Sequence, residues 1–143
     1  MRLVRLIYVS KTTPSTDLSD LSGLLKKARS KNEELGITGL LCHDREYFVQ
    51  WLEGPRAAVN ELYNTILRDY RHGEVTILEY SEVHQRNFGE WAMGYVYSAH
   101  IDKDLVLKYS PTARFDPFEM SAESVRHFLM DFGKRQHENV QNN

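Results

Sequence analysis

The spacing of apolar positions switches repeatedly between a two-residue and a helical period, which predicts alternating strands and helices. Leu3 to Ser10 alternates, with Val4, Leu6 and Tyr8 on one face, and reads as a first strand. Lys11 to Thr16, with Pro14, is a loop. Asp17 to about Leu35 predicts a helix whose stripe is Leu18, Leu21, Leu24 or Leu25, Ala28, Asn32 and Leu35. Asp17 and Asp20 suit its first turn and Gly36 its end. Ile37 to His43 and Tyr47 to Glu53 are strands, joined as a hairpin through Asp44-Arg45-Glu46. Gly54-Pro55 opens a second helix with Pro55 at its first position. Its stripe is Ala58 or Val59, Leu62 and Ile66, and it ends between Asp69 and Gly73. Val75 to Val83 and Trp91 to Tyr97 are two more strands, separated by the polar linker His84 to Glu90. Asp102 to Tyr109 is a short helix, and Ser110 to Glu119 a loop with prolines. Ser121 to about Gly133 is a last helix, with Val125, Phe128, Leu129 and Phe132 on one side. His137 to Asn143 is polar and expected to fray.

The order β-α-β-β-α-β with one added strand predicts an α+β, ferredoxin-like sheet. Two helices should cover one face, and the C-terminal helices should cover the other. The expected division is a sheet domain over 1–99, a C-terminal helical extension over 100–136 and a polar tail over 137–143, with no repeats and no second domain.

Three polar side chains disturb the apolar faces. Gln50 shares a strand face with Phe48 and Leu52. Burying its amide without partners costs about 1–3 kcal/mol, so a partner is expected. Tyr8 raises the same question beside Val4 and Leu6, and Asn32 raises it one turn beyond Ala28. Each has a plain alternative: a strand-edge or network amide for Gln50, a core phenol with its hydroxyl at the rim for Tyr8, a solvated helix end for Asn32. Taken together, two amides and a phenol offer mixed donors and acceptors to a polar ligand between sheet and helices. A planar heterocycle carrying both, such as the edge of a flavin, satisfies them.

Composition narrows the setting. The 143 residues suffice for one domain with a sizeable core, and 18 Lys and Arg against 20 Asp and Glu give a net charge of −2. That balance gives no electrostatic case for nucleic acid. Cys42 is the one cysteine, which excludes an intrachain disulfide framework and fits a reducing cytosol. The N-terminal apolar stretch is short and interrupted by Arg5, unlike a signal peptide. No run approaches the roughly 20 apolar residues that span a bilayer, so the expected location is cytoplasmic. His43, His72, His84, His100, His127 and His137 form no pair at ligand spacing, and no metal is expected.

Several segments resemble the BLUF family, the blue-light sensors that use flavin. They are Arg5-Leu6-Ile7-Tyr8-Val9-Ser10, Asn32 with Gly36-Ile37-Thr38-Gly39-Leu40-Leu41, and Phe48-Val49-Gln50-Trp51-Leu52-Glu53-Gly54. Asp69-Tyr70-Arg71-His72 and Asn87-Phe88-Gly89-Glu90-Trp91-Ala92-Met93 continue the likeness. The tail from Leu105 through the Met120-Ser121 helix is similar to the short, single-domain PixD-type branch, and no cyclase or phosphodiesterase segment follows. The resemblance implies FAD, with FMN as the alternative, bound non-covalently between the two helices. It implies Leu24 and Ile66 on the two ring faces, Leu24 where isoleucine is common. Asn32 would meet the C4 carbonyl and N3–H, and Gln50 would meet N5 and the C4 carbonyl, with Tyr8 bonded to Gln50. Asp69, Arg71 and His72 would lie near the other end of the cofactor. Lys31 stands where many PixD-type proteins have asparagine, which questions one pyrimidine contact.

The implied chemistry is photochemical rather than turnover: Tyr8 loses an electron and a proton, and Gln50 rearranges. Trp91 and Met93, on one side of the fifth strand if it is regular, are the expected output residues. The implied partners are a response-regulator-like protein and further copies of the chain. A rival from another class is a small hydrolase of the acylphosphatase type, since fold does not fix function. The loop Lys11-Thr12-Thr13-Pro14-Ser15 lacks the glycine-rich cradle such an enzyme needs, and adjacent Cys42 and His43 would point to opposite strand faces. A flavin-binding module without signalling is the third reading.

Overall fold

The computed structural model describes residues 2–14, 21–97 and 103–141. Its elements are β1 (Leu3–Thr12), α1 (Leu21–Leu35), β2 (Thr38–His43), β3 (Tyr47–Pro55), α2 (Arg56–Leu67), β4 (His72–Glu82), β5 (Gly94–Tyr97), α3 (Lys103–Tyr109) and α4 (Ala122–Gln141). A single 3-10 turn, Pro117–Glu119, precedes α4. The expected start of α1 at Asp17 and of α3 at Asp102 lies outside the described residues.

The strands form one sheet in the order β4-β1-β3-β2-β5. β1 pairs antiparallel with both β3 and β4, and β2 antiparallel with β3, which is the ferredoxin-like arrangement. β5 is the addition: it lies parallel to β2 on the edge far from β4. The chain must therefore cross the whole sheet between β4 and β5.

The alternation of β1 and β3 sends side chains to two separate cores. On one face Val4, Leu6, Tyr8, Phe48 and Leu52 meet Leu25 of α1, Val59 of α2, Leu41 and Met93. On the other, Ile7, Val9, Val49 and Trp51 meet Leu105 and Val106 of α3 and Val125, Phe128, Leu129 and Phe132 of α4. The α4 stripe is the one its spacing predicts. Trp51 and Phe128 are fully enclosed, and each fully buried side chain of this kind contributes about 1.5–3 kcal/mol.

Several boundaries move, each for a local reason. Pro55 ends β3 and caps α2 with extended backbone (φ −58°, ψ 138°) instead of occupying the first helical turn. Its missing N–H costs nothing there, and Arg56 N–H bonds Arg2 O across the strand end. α2 stops at Leu67, and His72 and Gly73 already pair with Thr12 and Lys11 as the start of β4. β5 begins at Gly94, so 91–93 is a bend rather than strand. α4 continues to Gln141, so the tail expected to fray is helical through most of its length.

Gly36 closes α1 in the left-handed region (φ +74°). Ile37 N–H bonds Asn32 O and Gly36 N–H bonds Glu33 O, a Schellman cap that fixes Asn32 in the last turn. Gly39 is required by close approach, since a Cβ there would stand 1.9 Å from Trp51 O.

Glu79 ties α4 to the sheet. Its carboxylate accepts from Arg5 Nε and, at 2.9 Å, from Arg126 Nη1. Partial burial pushes its pKa up, but the two guanidiniums outweigh that and hold it below the usual glutamate range. A carboxylate lowered in the folded state stabilises fully above its unfolded pKa, and that contribution is lost as pH falls through the folded value. Glu79→Gln should therefore lower the urea midpoint near neutral pH. Its midpoint should also fall less than that of the wild type between about pH 6 and pH 3. Parallel loss in both proteins would show that the Arg5–Glu79–Arg126 triad contributes no acid-labile stability.

Candidate cofactor site

Cross-strand register brings the two polar strand residues together: Tyr8 of β1 lies directly opposite Gln50 of β3. Both are buried, at 3% and 9% exposure. Tyr8 Oη donates a hydrogen bond to Gln50 Oε1. The other end of the amide, Nε2, donates to Met93 Sδ at 3.4 Å. Burial, with smaller contributions from Tyr63 and Asp69, pushes the Tyr8 phenol far above its ordinary value, so it is a neutral donor.

Two adjoining cavities open beside this chain of bonds and share Leu41, Gln50, Ile66 and Arg71. One, of about 210 Å³, is lined by Leu24, Leu25, Ala28, Asn32 and Leu62 as well, and by Met93. The other, of about 150 Å³, adds Tyr8, Phe48, Asp69 and His72. Every sequence-predicted binding residue thus lines one of the two. Lys31 is exposed and lines neither. The α1 stripe explains the space: Leu24 is half-buried and Ala28 exposed, so this part of the helix faces a cleft instead of resting on the sheet.

Asn32 is buried at 3% and its Nδ2 donates to Ala92 O at 2.9 Å. Arg29 Nε reaches Met93 O at 2.8 Å, so α1 holds the 92–93 bend by two bonds. At the other end Asp69 accepts from Arg71 through Nη1 (3.1 Å) and its backbone N–H (3.0 Å). His72 bridges Ser10 Oγ (2.8 Å, at Nδ1) and Ile66 O (2.7 Å, at Nε2). These bonds fix the rim of the second cavity.

One expectation fails. Trp91 and Met93 do not share a side. Met93 is buried against Gln50 on the helix face, whereas Trp91 stacks on Phe88 (centroids 5.8 Å, 14°) and packs on the opposite core. The cause is the bend at 91–93, where strand alternation does not apply.

Sequence reasoning also missed Arg29 and Tyr63. Tyr63 sits 6.0 Å from the Tyr8 ring, centroid to centroid. Its signal was present, since Val59, Tyr63 and Ile66 repeat at helical spacing. Nothing in the pattern marks Arg29.

The donor set fits a flavin. Leu24 and Ile66 supply apolar walls, and Asn32 and Arg71 add polar groups. Gln50 Nε2–H spends itself on a thioether, a weak acceptor, so a carbonyl or ring nitrogen would be a better partner. Among the described residues there is no group of three metal-ligating side chains, and no helix is long and apolar enough to cross a membrane.

Comparison with known proteins decides the family. The family model described as sensors of blue-light using FAD, BLUF, matches residues 3–94. The chain belongs to the BLUF family. It is 38% identical over 92 residues to the photoactivated adenylate cyclase subunit beta of Euglena gracilis, covering 64% of this chain and 11% of that protein. The blue light- and temperature-regulated antirepressor BluF of Escherichia coli is 30% identical over 91 residues, or 64% of this chain and 23% of that protein. The chain thus spans under a quarter of the length of these two relatives. Among solved structures, BlsA in its photo-activated state superposes with a TM-score of 0.81 at 29% identity, covering 90% of this chain and 93% of that one. BlrB in its dark state gives 0.65 at 32%, covering 77% and 80%.

Asn32→Ala should weaken flavin binding about fivefold or more, since one hydrogen bond is worth about 1 kcal/mol, and should free Ala92 O. Flavin titration of the refolded apoprotein measures it. Unchanged affinity would remove Asn32 from the binding set.

Proposed function

We propose that this protein is a blue-light photoreceptor of the short PixD-type form, binding FAD non-covalently in the cytoplasm. On this reading it signals through a change in its interaction with a protein partner. The observation that carries this reading is the continuous chain Tyr8–Gln50–Met93 along one wall of the cleft. A binding module needs no oxidisable phenol bonded to a reversible amide.

The flavin supplies the photochemistry: on absorbing blue light it is a strong oxidant. Tyr8, the phenol bonded to Gln50 at the cleft wall, would supply the electron that this oxidant takes. Its Oη proton would then pass along that bond to Gln50 Oε1, which holds it until the electron returns. With that donor gone, the amide has no reason to hold its orientation. Turning or tautomerising, it exchanges its donor and acceptor ends. When Tyr8 recovers its electron and proton, Gln50 would sit in a different set of bonds, and an amide donating more strongly to a cofactor carbonyl would shift the absorption to the red. Asn32, Leu24 and Ile66 would orient the ring, and Asp69, Arg71 and His72 would hold the other end of the cofactor. No substrate is consumed, so the protein is a two-state switch and not an enzyme.

The Gln50–Met93 bond carries the change outward. Loss of that bond lets the flexible Met93 side chain repack at small cost and shifts the 91–93 bend. The partner follows from the PixD likeness and is response-regulator-like, with the receptor itself assembling as a homo-oligomer.

Tyr8→Phe should keep flavin bound and lose the persistent red shift, because packing survives while the donor is gone. Gln50→Leu should behave alike. A light-minus-dark absorption spectrum of each variant is the deciding measurement, and a wild-type shift in Tyr8→Phe would sink the mechanism.

Met93→Ala should retain most of the spectral shift while losing the light-dependent response of the protein. Infrared amide difference bands at undiminished amplitude in that variant would move the output route away from Met93.

A further inference from the structure

Three residues beyond Gln50, β3 carries a second buried polar side chain on its opposite face. Glu53 is wholly enclosed. Its Oε1 accepts from Thr38 Oγ1 at 2.9 Å and from Phe88 N–H at 2.6 Å. Its Oε2 accepts from Trp51 Nε1 at 3.0 Å and from Asn87 N–H at 2.9 Å. Only a carboxylate offers that many acceptor positions in so small a volume. Arg86 completes the clamp, reaching Thr38 Oγ1 at 2.8 Å, Glu53 O at 3.3 Å and Gly36 O at 2.7 Å.

The pinned residues connect directly to α4. The Phe88 ring meets Trp51 edge-on (4.9 Å, 90°) and stacks on Trp91. It also lies against Gly133 of α4, where a Cβ would stand 2.5 Å from Phe88 Cε1. From there the chain passes over the edge of β2, with Gly39 N–H bonded to Trp91 O at 3.1 Å. It then reaches the 92–93 bend held by Asn32, Arg29 and Gln50. The segment 87–93 is therefore gripped at one end by Glu53 and at the other by the cofactor site.

We propose that Glu53 is a positioning residue that makes this segment a lever, passing the state of Gln50 to α4. The inference rests on the photosensor reading and names how its output leaves the site. A loose linker would absorb a shift at 92–93. With Asn87 and Phe88 fixed, the same shift turns the Phe88–Trp91 pair against Gly133. A cavity of about 460 Å³ beside Phe88, Trp91, Met130 and Gly133 gives the rings room to move.

The test is hydrogen–deuterium exchange on the flavin-loaded full chain, in darkness and under blue light, with absorption recorded on the same samples. The wild type should show a light-induced change in peptides covering 84–93 and 122–135. Glu53→Gln places an NH₂ against backbone donors. It should raise dark exchange at the Asn87 and Phe88 amides about tenfold. Its spectral shift should be intact and its light-induced change in α4 should fall at least about fivefold. Gly133→Ala is the second variant, needed if Glu53→Gln does not fold. Alanine is the better helix former, and its Cβ displaces Phe88 without touching the cofactor site. It too should keep the shift and lose the α4 response. Faster exchange with an unchanged light-minus-dark difference in α4, in either folded variant, would make Glu53 merely structural and overturn the proposal. A wild-type spectral shift with no α4 response would overturn it alone. Absence of the shift in the wild type would defeat the photosensor reading and this inference with it.

Discussion

Covering β3 on both faces is the constraint from which the rest follows. From Tyr47 to Gly54 every residue of the strand is buried, so any polar side chain on it must be answered from within the protein. The strand carries two, on opposite faces. Gln50 is answered by Tyr8 and Met93, which commits β1 and the 91–93 bend to one geometry. Glu53 is answered by Thr38, Trp51 and two linker amides, which commits the chain between β4 and β5. An apolar strand would have left both segments free to settle elsewhere. A bonded acceptor of this charge stabilises by about 1.5–3 kcal/mol per hydrogen bond, whereas an unpaired one would cost as much or more.

The two covered faces do different work. Against the α3–α4 face the rings of Trp51, Phe88, Phe115, Phe128 and Phe132 pack as one core, with a cavity left beside Phe88 and Gly133. Against the α1–α2 face the packing is incomplete, and the incompleteness is where Leu24, Ala28 and Asn32 look into a cleft. A helix stripe that is apolar but not fully covered, next to a strand with a bonded amide, is what a planar cofactor requires. The sheet thus has an aromatic-packed face and a receptive face, with β3 common to both.

Much of this was legible from periodicity. The strand alternation of 3–10 and 47–53 put Tyr8 and Gln50 on one face, and the register then set them opposite each other. The α1 stripe placed Asn32 inward, and Gly36 marked the cap that fixes it. What periodicity could not reach was the bend at 91–93. Period-two reasoning put Trp91 and Met93 together because it assumed a regular strand. Two contacts distant in sequence decide otherwise, Gly39 N–H donating to Trp91 O and Asn32 Nδ2 to Ala92 O, and locally Gly94 leaves room for the Trp91 ring, which a Cβ there would meet at 2.7 Å. Glu53 was invisible for a related reason. At the end of a strand beside Gly54-Pro55, a glutamate reads as a solvated edge, and only the return of the 86–88 linker buries it.

The choice of methionine opposite Gln50 bears on how a switch can be both stable and reversible. Tyr8 Oη to Gln50 Oε1 is a buried bond between good partners, and it selects one orientation of the amide. Had the other end met a carbonyl or carboxylate, the amide would be held from both sides, and turning it would forfeit two good bonds at about 1 kcal/mol each plus the burial cost of any group left unpaired. A thioether accepts weakly, so Nε2 is placed without being locked. Of these two contacts the phenol is the stronger, so Tyr8 sets the resting orientation of Gln50, and on the proposed mechanism loss of its proton would loosen that hold. Leucine at position 93 would leave Nε2–H with no partner and penalise the resting orientation. A stronger acceptor would penalise departure from it. Methionine lies between these, and its flexible side chain can follow the amide in either state.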